Sequence, residues 1–289
     1  MKRRLAYIWC LPIGILSLVT ACTERIEIEL DSTYRRLVVE GAVSSDSVRH
    51  QVILTMSSDY FYNQPAPRIS HALVELSFGG ESLLLTERDG EPGCYETPLA
   101  FRGVPGTTYD LHISQVDVNG DGEEESYSAS STMPGGAELQ EIELRYFQTP
   151  VVSGYQVQMF ATHPLDQRDW FGFKLIKNSD LLTDSLVKYS VISDDLFDTG
   201  YFPGLPVGFL SDDNPREEVT PGDTITLEMD CIDQAYYYFV SDAQIEIAGY
   251  NPLFSGPPAN VYSNIEGAQG IFAAYSIQRT SLIIPTGTQ

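Results

Sequence analysis

Apolar and polar residues alternate with a period of two over much of the chain. Val52, Leu54 and Met56 form one series, Val74, Leu76 and Phe78 a second, and Tyr109, Leu111 and Ile113 a third. That period places every other side chain on one face, so each series predicts a strand with one buried face. Gly79-Gly80, Asp89-Gly90 and Pro105-Gly106 separate them with residues that accept or prescribe turn dihedrals. Several strands at this spacing predict an antiparallel sandwich over residues 35–134.

Met133-Pro134-Gly135-Gly136 breaks the pattern and is the expected domain boundary. A second β-rich domain, 135–289, is expected to carry strands at Leu139–Phe147, Tyr155–Ala161, Trp170–Lys177 and Thr224–Cys231. Ser193–Asp223 is polar and rich in Asp and Gly, and reads as a long irregular stretch. Ile232–Ala248 lacks Gly and Pro and contains Tyr236-Tyr237-Tyr238-Phe239, which makes it the best helix candidate in a chain with one or two short helices. Residues 251–264 read as a Pro- and Asn-rich loop, followed by a strand pair at Ile271–Ile277 and Ser281–Ile284. The fold class expected is mainly β, with no internal repeat.

The N-terminus follows a different rule. Lys2, Arg3 and Arg4 precede an apolar run from Leu5 to Val19 that ends in Val19-Thr20-Ala21-Cys22. The run is short of the ~20 residues a spanning helix needs, and Pro12 and Gly14 interrupt it. An aliphatic residue at −3, small residues at −2 and −1 and a cysteine at +1 form a lipobox. Residues 1–21 therefore read as a lipoprotein signal peptide, with Cys22 as the lipidated residue. Two or three acyl chains, at ~0.8 kcal/mol per buried CH₂, would hold the mature chain at a membrane without a spanning helix. Residues 22–34 read as an acidic tether, in which Ile26, Ile28 and Leu30 could form an edge strand.

Composition narrows the function classes. The chain has 17 basic and 40 acidic residues, a net charge of −23. Residues 1–21 remove three basic residues and no acid, so the mature body stands at −26. Such a body repels nucleic acid and anionic headgroups. Of four cysteines, Cys10 leaves with the signal and Cys22 takes lipid, so Cys94 and Cys231 remain, either as a disulfide or as two separate buried thiols.

Candidate sites are few. Asp117-Val118-Asn119-Gly120-Asp121-Gly122 matches the start of a calcium loop, with oxygen ligands at Asp117, Asn119 and Asp121 and a glycine at the tight turn. The acid expected at position 12 is Ser128, and the flanks read as strands, so an acidic hairpin tip is the competing reading. Calcium is the one cofactor suggested. Tyr60-Phe61-Tyr62, ahead of the Pro65–Pro67 loop, is a candidate ligand-binding tip. His50, His71, His112 and His163 are scattered without metal-ligand spacing and read as surface or strand-face residues. Nucleophile-elbow, phosphate-loop and dinucleotide motifs are all missing, so the expectation is a protein without enzymatic activity.

Three segments together resemble a known family. They are Leu37-Val38-Val39-Glu40-Gly41, then Gly106-Thr107-Thr108-Tyr109-Asp110-Leu111-His112-Ile113, and a longer C-terminal set. That set runs from Asn251-Pro252-Leu253-Phe254 through Pro257-Pro258-Ala259-Asn260-Val261 and Ser263-Asn264-Ile265 to Gly270-Ile271-Phe272. The chain resembles the Bacteroidota lipoproteins grouped as domain of unknown function 4249, over nearly all of its mature length. The resemblance imports no catalytic residue. It implies an outer-membrane lipoprotein, facing the cell exterior, that accompanies a TonB-dependent nutrient transporter. Ala72-Leu73-Val74-Glu75-Leu76 with Gly106-Thr107-Thr108-Tyr109 also makes the first domain similar to immunoglobulin-like or transthyretin-like sandwiches.

The preferred expectation is a binding or accessory lipoprotein with an unknown ligand. A cell-surface structural or adhesive lipoprotein is the first alternative, and a hydrolase with an unfamiliar site in 193–223 the second.

Overall fold

A computed structural model describes residues 35–57, 64–118, 120–197, 199–249 and 261–286. Cys22 and the tether, Tyr60-Phe61-Tyr62, Asn119 and residues 251–260 lie outside the described residues.

The fold is mainly β, and one large sheet organises it. Across this sheet the order is β12 (Asp180–Leu181), β11 (Trp170–Lys177), β15 (Thr224–Ile232), β16 (Gln269–Ile283), β1 (Leu37–Ser44), β2 (Gln51–Met56), β6 (Cys94–Glu96) and β5 (Thr86–Glu87), with β13 (Ser190–Ser193) also pairing β11. A four-stranded sheet is formed by β4 (Glu81–Leu84), β3 (Leu73–Phe78), β7 (Thr108–Val116) and β8 (Glu125–Thr132). A three-stranded sheet is formed by β14 (Tyr201–Ser211), β10 (Ser153–Thr162) and β9 (Glu138–Gln148).

Each smaller sheet covers part of one face of the large one. Val39, Leu54, Val74, Leu111, Ile113 and Phe272 meet in a first core, and Val157, Met159, Phe171, Phe173, Phe202, Leu227 and Met229 in a second. The alternation read from the sequence supplies these side chains. In β7, Tyr109, Leu111 and Ile113 are buried while Thr108, Asp110 and His112 are exposed.

The chain passes from the first core to the second at Met133–Gly136, where its composition breaks. Residues 35–289 nevertheless form one compact unit. The reason is β16. Its first half pairs parallel with β1, from Val38↔Gln269 to Ser44↔Tyr275, and its second half pairs antiparallel with β15, from Cys231↔Ser276 to Thr224↔Ile283. One strand therefore runs under both cores, with Phe272 and Ala274 in the first and Leu282 against the second.

Two elements differ from the sequence expectation. The predicted pair Ile271–Ile277 and Ser281–Ile284 is the single strand β16. Its polar interruption is held by tertiary partners. Gln278 donates to the carbonyl of Ala137 and accepts from the Leu139 N–H at 2.8 Å, and Arg279 pairs with Asp46 and Glu228. The stretch read as irregular also contains β14, with Pro203, Gly204 and Pro206 inside it. The strand lies at the edge of its sheet and meets β10 with register shifts at Val157/Gln158 and Met159/Phe160. Proline lacks an N–H and is tolerated at such an edge or bulge.

The expected helix is α1 (Gln234–Gly249). It opens on Asp233, whose carboxylate accepts from the Tyr236 N–H at 2.8 Å as an N-cap. Cys94 and Cys231 are two separate, buried, free thiols, and burial raises the Cys231 pKa to about 12. Among the described residues no helix is long and apolar enough to cross a membrane.

The β1–β16 seam leaves no room for a side chain at Gly270. Its φ is +113°, and a Cβ there would fall 1.9 Å from the Val39 carbonyl oxygen. Gly270→Ala is expected to destabilise the protein by about 3 kcal/mol or more in urea unfolding. Gly80→Ala, with φ +84° and open space around it, should lose only about 1–2 kcal/mol.

Candidate functional site

The face of the large sheet away from the two cores carries a row of charges. Antiparallel registry sets Lys174 of β11 opposite Glu228 of β15, and Glu228 opposite Arg279 of β16. Residues directly opposite on one face are the closest cross-strand neighbours, and alternating sign makes each contact attractive. The Lys174 ammonium lies 2.7 Å from Glu228 Oε1 and 2.7 Å from Asp230 Oδ2. The Arg279 Nε–H donates to Glu228 Oε2 at 2.6 Å, and its terminal N–H groups reach both oxygens of Asp46 at 3.0 and 2.6 Å. That last contact joins residues 233 positions apart in sequence.

Aromatic rings enclose the row. Lys174 Nζ sits 5.5 Å from the Tyr189 ring centre and 5.3 Å from that of Tyr275, within cation–π range. The Tyr189 hydroxyl donates to Asp230 Oδ2 at 2.8 Å. Tyr236 stacks on Tyr275 with ring centres 6.1 Å apart and planes 10° apart, and also meets Phe239. Two residues of the tyrosine-rich run thus pack α1 onto the sheet, while Tyr238 is exposed. Gly172 is what admits Tyr189, since a Cβ at 172 would lie 1.9 Å from its hydroxyl oxygen.

Burial sets the electrostatics. The Asp230 side chain is 1% exposed, and desolvation raises its pKa to about 6 against the pull of Lys174. Burial alone would lower Lys174, but Asp230, Tyr275 and Glu228 outweigh it and hold the ammonium above its ordinary range. Burial also raises Tyr189, Tyr236 and Tyr275, so all three stay neutral, and the Tyr189 hydroxyl keeps the proton it donates to Asp230. Asp46 is lowered by its hydrogen bond from Arg279.

The row forms part of the wall of a cavity of about 790 Å³, whose other walls include Val38, Glu40, Ile53, Ile271 and Phe239. This lies within the ~300–1,000 Å³ of small-molecule sites, which combine apolar walls with a few fixed polar groups. The charges are self-paired, so they are oriented before any ligand arrives. Chemically the arrangement favours binding and orienting a ligand with both apolar and charged parts.

Of the residues singled out from the sequence, Asp117 and Asp121 lie elsewhere, and Cys22, Tyr60, Phe61, Tyr62 and Asn119 fall outside the described residues. Asp117 accepts from the N–H groups of Gly120 and Gly122 at 2.6 and 2.9 Å, and Asp121 accepts from Glu123 N–H at 2.8 Å. Both carboxylates thus turn onto the backbone of the β7–β8 hairpin tip. Ser128, at position 12 of the candidate calcium loop, donates to Glu266 at 2.8 Å. The reading of all four histidines as surface or strand-face residues needs correction. His71 and His112 are exposed, whereas His50 and His163 are buried in connecting segments. Sequence reasoning also missed the charge row. Its one sequence signal is the placing of Lys174, Glu228, Asp230 and Arg279 at positions that strand alternation assigns to the face opposite the cores.

The fold is thus a mainly β sandwich with a cavity on the free face of its shared sheet. Residues 23–281 match the family described as Domain of unknown function (DUF4249), and the chain belongs to that family. No curated protein matches it.

Removing the ammonium tests the electrostatics. Lys174→Met leaves Asp230 and Glu228 without their shared cation and is expected to cost about 3–5 kcal/mol at pH 8. Asp230 titrates above its ordinary 3.8. The folded protein therefore holds a proton that the unfolded chain releases, and this group's contribution to stability falls as pH rises from about 4 to 6. Without Lys174 that window extends upward, so the loss should be smaller at pH 5 than at pH 8, as read by urea denaturation at both.

Proposed function

We propose that the protein is a lipid-anchored, non-enzymatic binding component that serves a TonB-dependent outer-membrane transporter, with the sheet-face cavity as its ligand site. The observation that carries this reading is the cavity itself, with its prearranged charges, aromatic wall and apolar surround. The lipobox at Cys22 supports attachment by lipid, and the −26 charge of the body after residue 21 (−23 less three basic residues) suits a body held off an anionic surface. Placement on the outer membrane facing the exterior, and transport as the context, rest on the resemblance drawn from the sequence.

Cys22→Ser is expected to move the protein from the membrane fraction to the soluble fraction. Gently solubilised wild-type membranes are expected to yield the protein together with an integral outer-membrane transporter. Recovery only as a free monomer counts against the transporter role, and recovery only with copies of itself favours a surface-scaffold role. Native mass spectrometry should show a bound small molecule that Ala42→Phe, which places a ring in the cavity, removes. A bare mass for the wild type counts against the ligand site.

A further inference from the structure

A second set of polar residues lies against Phe171 and Phe202 of the second core and shares none of the residues of the sheet-face cavity. His163 follows β10, Asp169 precedes β11, and Asp194 opens the short 3-10 turn after β13. One nitrogen of His163 and one carboxylate oxygen from each aspartate lie within 4.8 Å of one another. All three are buried, at 7%, 6% and 8% exposure.

The backbone holds them rigidly. The Asp169 N–H donates to Asp194 Oδ2 at 3.1 Å, and the Asp194 N–H donates to the Asp169 carbonyl at 3.1 Å. The His163 ring stacks on Phe202 with centres 4.7 Å apart, and its backbone N–H donates to the Gly200 carbonyl at 3.0 Å.

Two atoms of this cluster are buried without a hydrogen-bond partner, His163 Nε2 and Asp169 Oδ2. Nδ1 of His163 lies 3.1 Å from the Pro164 carbonyl oxygen and 3.5 Å from Asp194 Oδ2, two acceptors that place the ring proton on Nδ1 and leave a lone pair on Nε2. The Gln167 amide donates to Asp169 Oδ1 at 2.8 Å, which fixes that carboxylate and leaves Oδ2 unused. Both unpartnered atoms are thus electron-pair donors, beside a second buried carboxylate. The adjoining Arg168–Asp195 ion pair is turned to solvent, at 59% and 45% side-chain exposure.

We propose that His163, Asp169 and Asp194 bind one divalent first-row transition-metal ion. A buried lone pair left unmatched is destabilising, and a cation relieves two of them while neutralising adjacent carboxylates. Imidazole with carboxylates suits zinc, manganese, iron or cobalt, whereas calcium and magnesium prefer oxygen alone. Ligands about 2.0–2.2 Å from one ion lie at most about 4.4 Å apart, so a turn of the His163 ring that brings Nε2 toward the carboxylates, with small carboxylate rotations, closes the site. The Pro164 carbonyl and the Gln167 amide act as the outer-shell partners that orient metal ligands. Three protein ligands leave a coordination position open. Asp169 and Gln167 also line a cavity of about 510 Å³, which gives that position a route to solvent.

The test uses the full chain, stripped with chelator and titrated with Co²⁺. It is expected to bind about one equivalent with visible d–d absorption, to release it to Zn²⁺, and to keep it against excess Ca²⁺ or Mg²⁺. His163→Gln and Asp169→Asn should each weaken binding by more than about 100-fold, since loss of an outer-shell partner alone costs about 10–100-fold. Asp195→Asn, on the exposed neighbour, should leave affinity unchanged. Zn²⁺ should also shift one histidine ring resonance of the wild type and spare the other three, a readout that needs no variant to fold. The proposal is overturned if the folded wild type takes up no stoichiometric metal, if Ca²⁺ competes equally, or if the His163→Gln/Asp169→Asn double variant binds as the wild type does.

Discussion

The fold depends on β16 remaining one continuous strand while it changes partner between Tyr275 and Ser276. Before that point it lies parallel to β1, and after it antiparallel to β15. Pairing the first described strand with the last encloses the rest of the chain between them. This parallel pairing requires a long connection, and here the connection carries both smaller sheets. Because the pairing is so distant in sequence, its loop-closure entropy is large, and the seam is expected to form late in folding. The close approach at Gly270, where any side chain would meet the Val39 carbonyl, shows how tightly the two strands are set.

That same strand decides where charge can lie. With the cores on one face, the opposite face of β11, β15 and β16 receives Lys174, Glu228 and Arg279 in register. A one-residue slip would turn all three into the second core, so the row and the register specify each other. Buried ion pairs are weak evidence of net stability, since desolvation offsets much of their attraction. Their effect here is one of specification and of orientation, since they hold side chains in place around a cavity. In a chain with 40 acids and 17 bases, Lys174 and Arg279 are each shared between two carboxylates of this site.

Much of the strand pattern was legible in the sequence. Val52, Leu54, Tyr109, Leu111 and Ile113 alternate because one face of each strand is dry and the other wet, a local demand written residue by residue. The helix could be read at Ile232–Ala248 from what the segment lacks, and it begins two residues later, where Asp233 caps it. β14 was hidden because Pro203, Gly204 and Pro206 carry a loop signature that only an edge position excuses. The continuity of β16 was hidden because Gln278 and Arg279 look like a turn until their partners Ala137, Asp46 and Glu228 are in place.

By itself, then, the sequence determined a mainly β body, its alternating faces, its acidity and its membership in a family, because each is carried by neighbouring residues or by composition. The tertiary structure alone decided that two cores share one sheet, that Lys174 meets Asp230 beneath Tyr189, and that His163 meets Asp169 and Asp194. These groups come from separate strands and loops, and no spacing along the chain encodes them. What brings them together is registry between strands and the closing of a sheet by its most distant members.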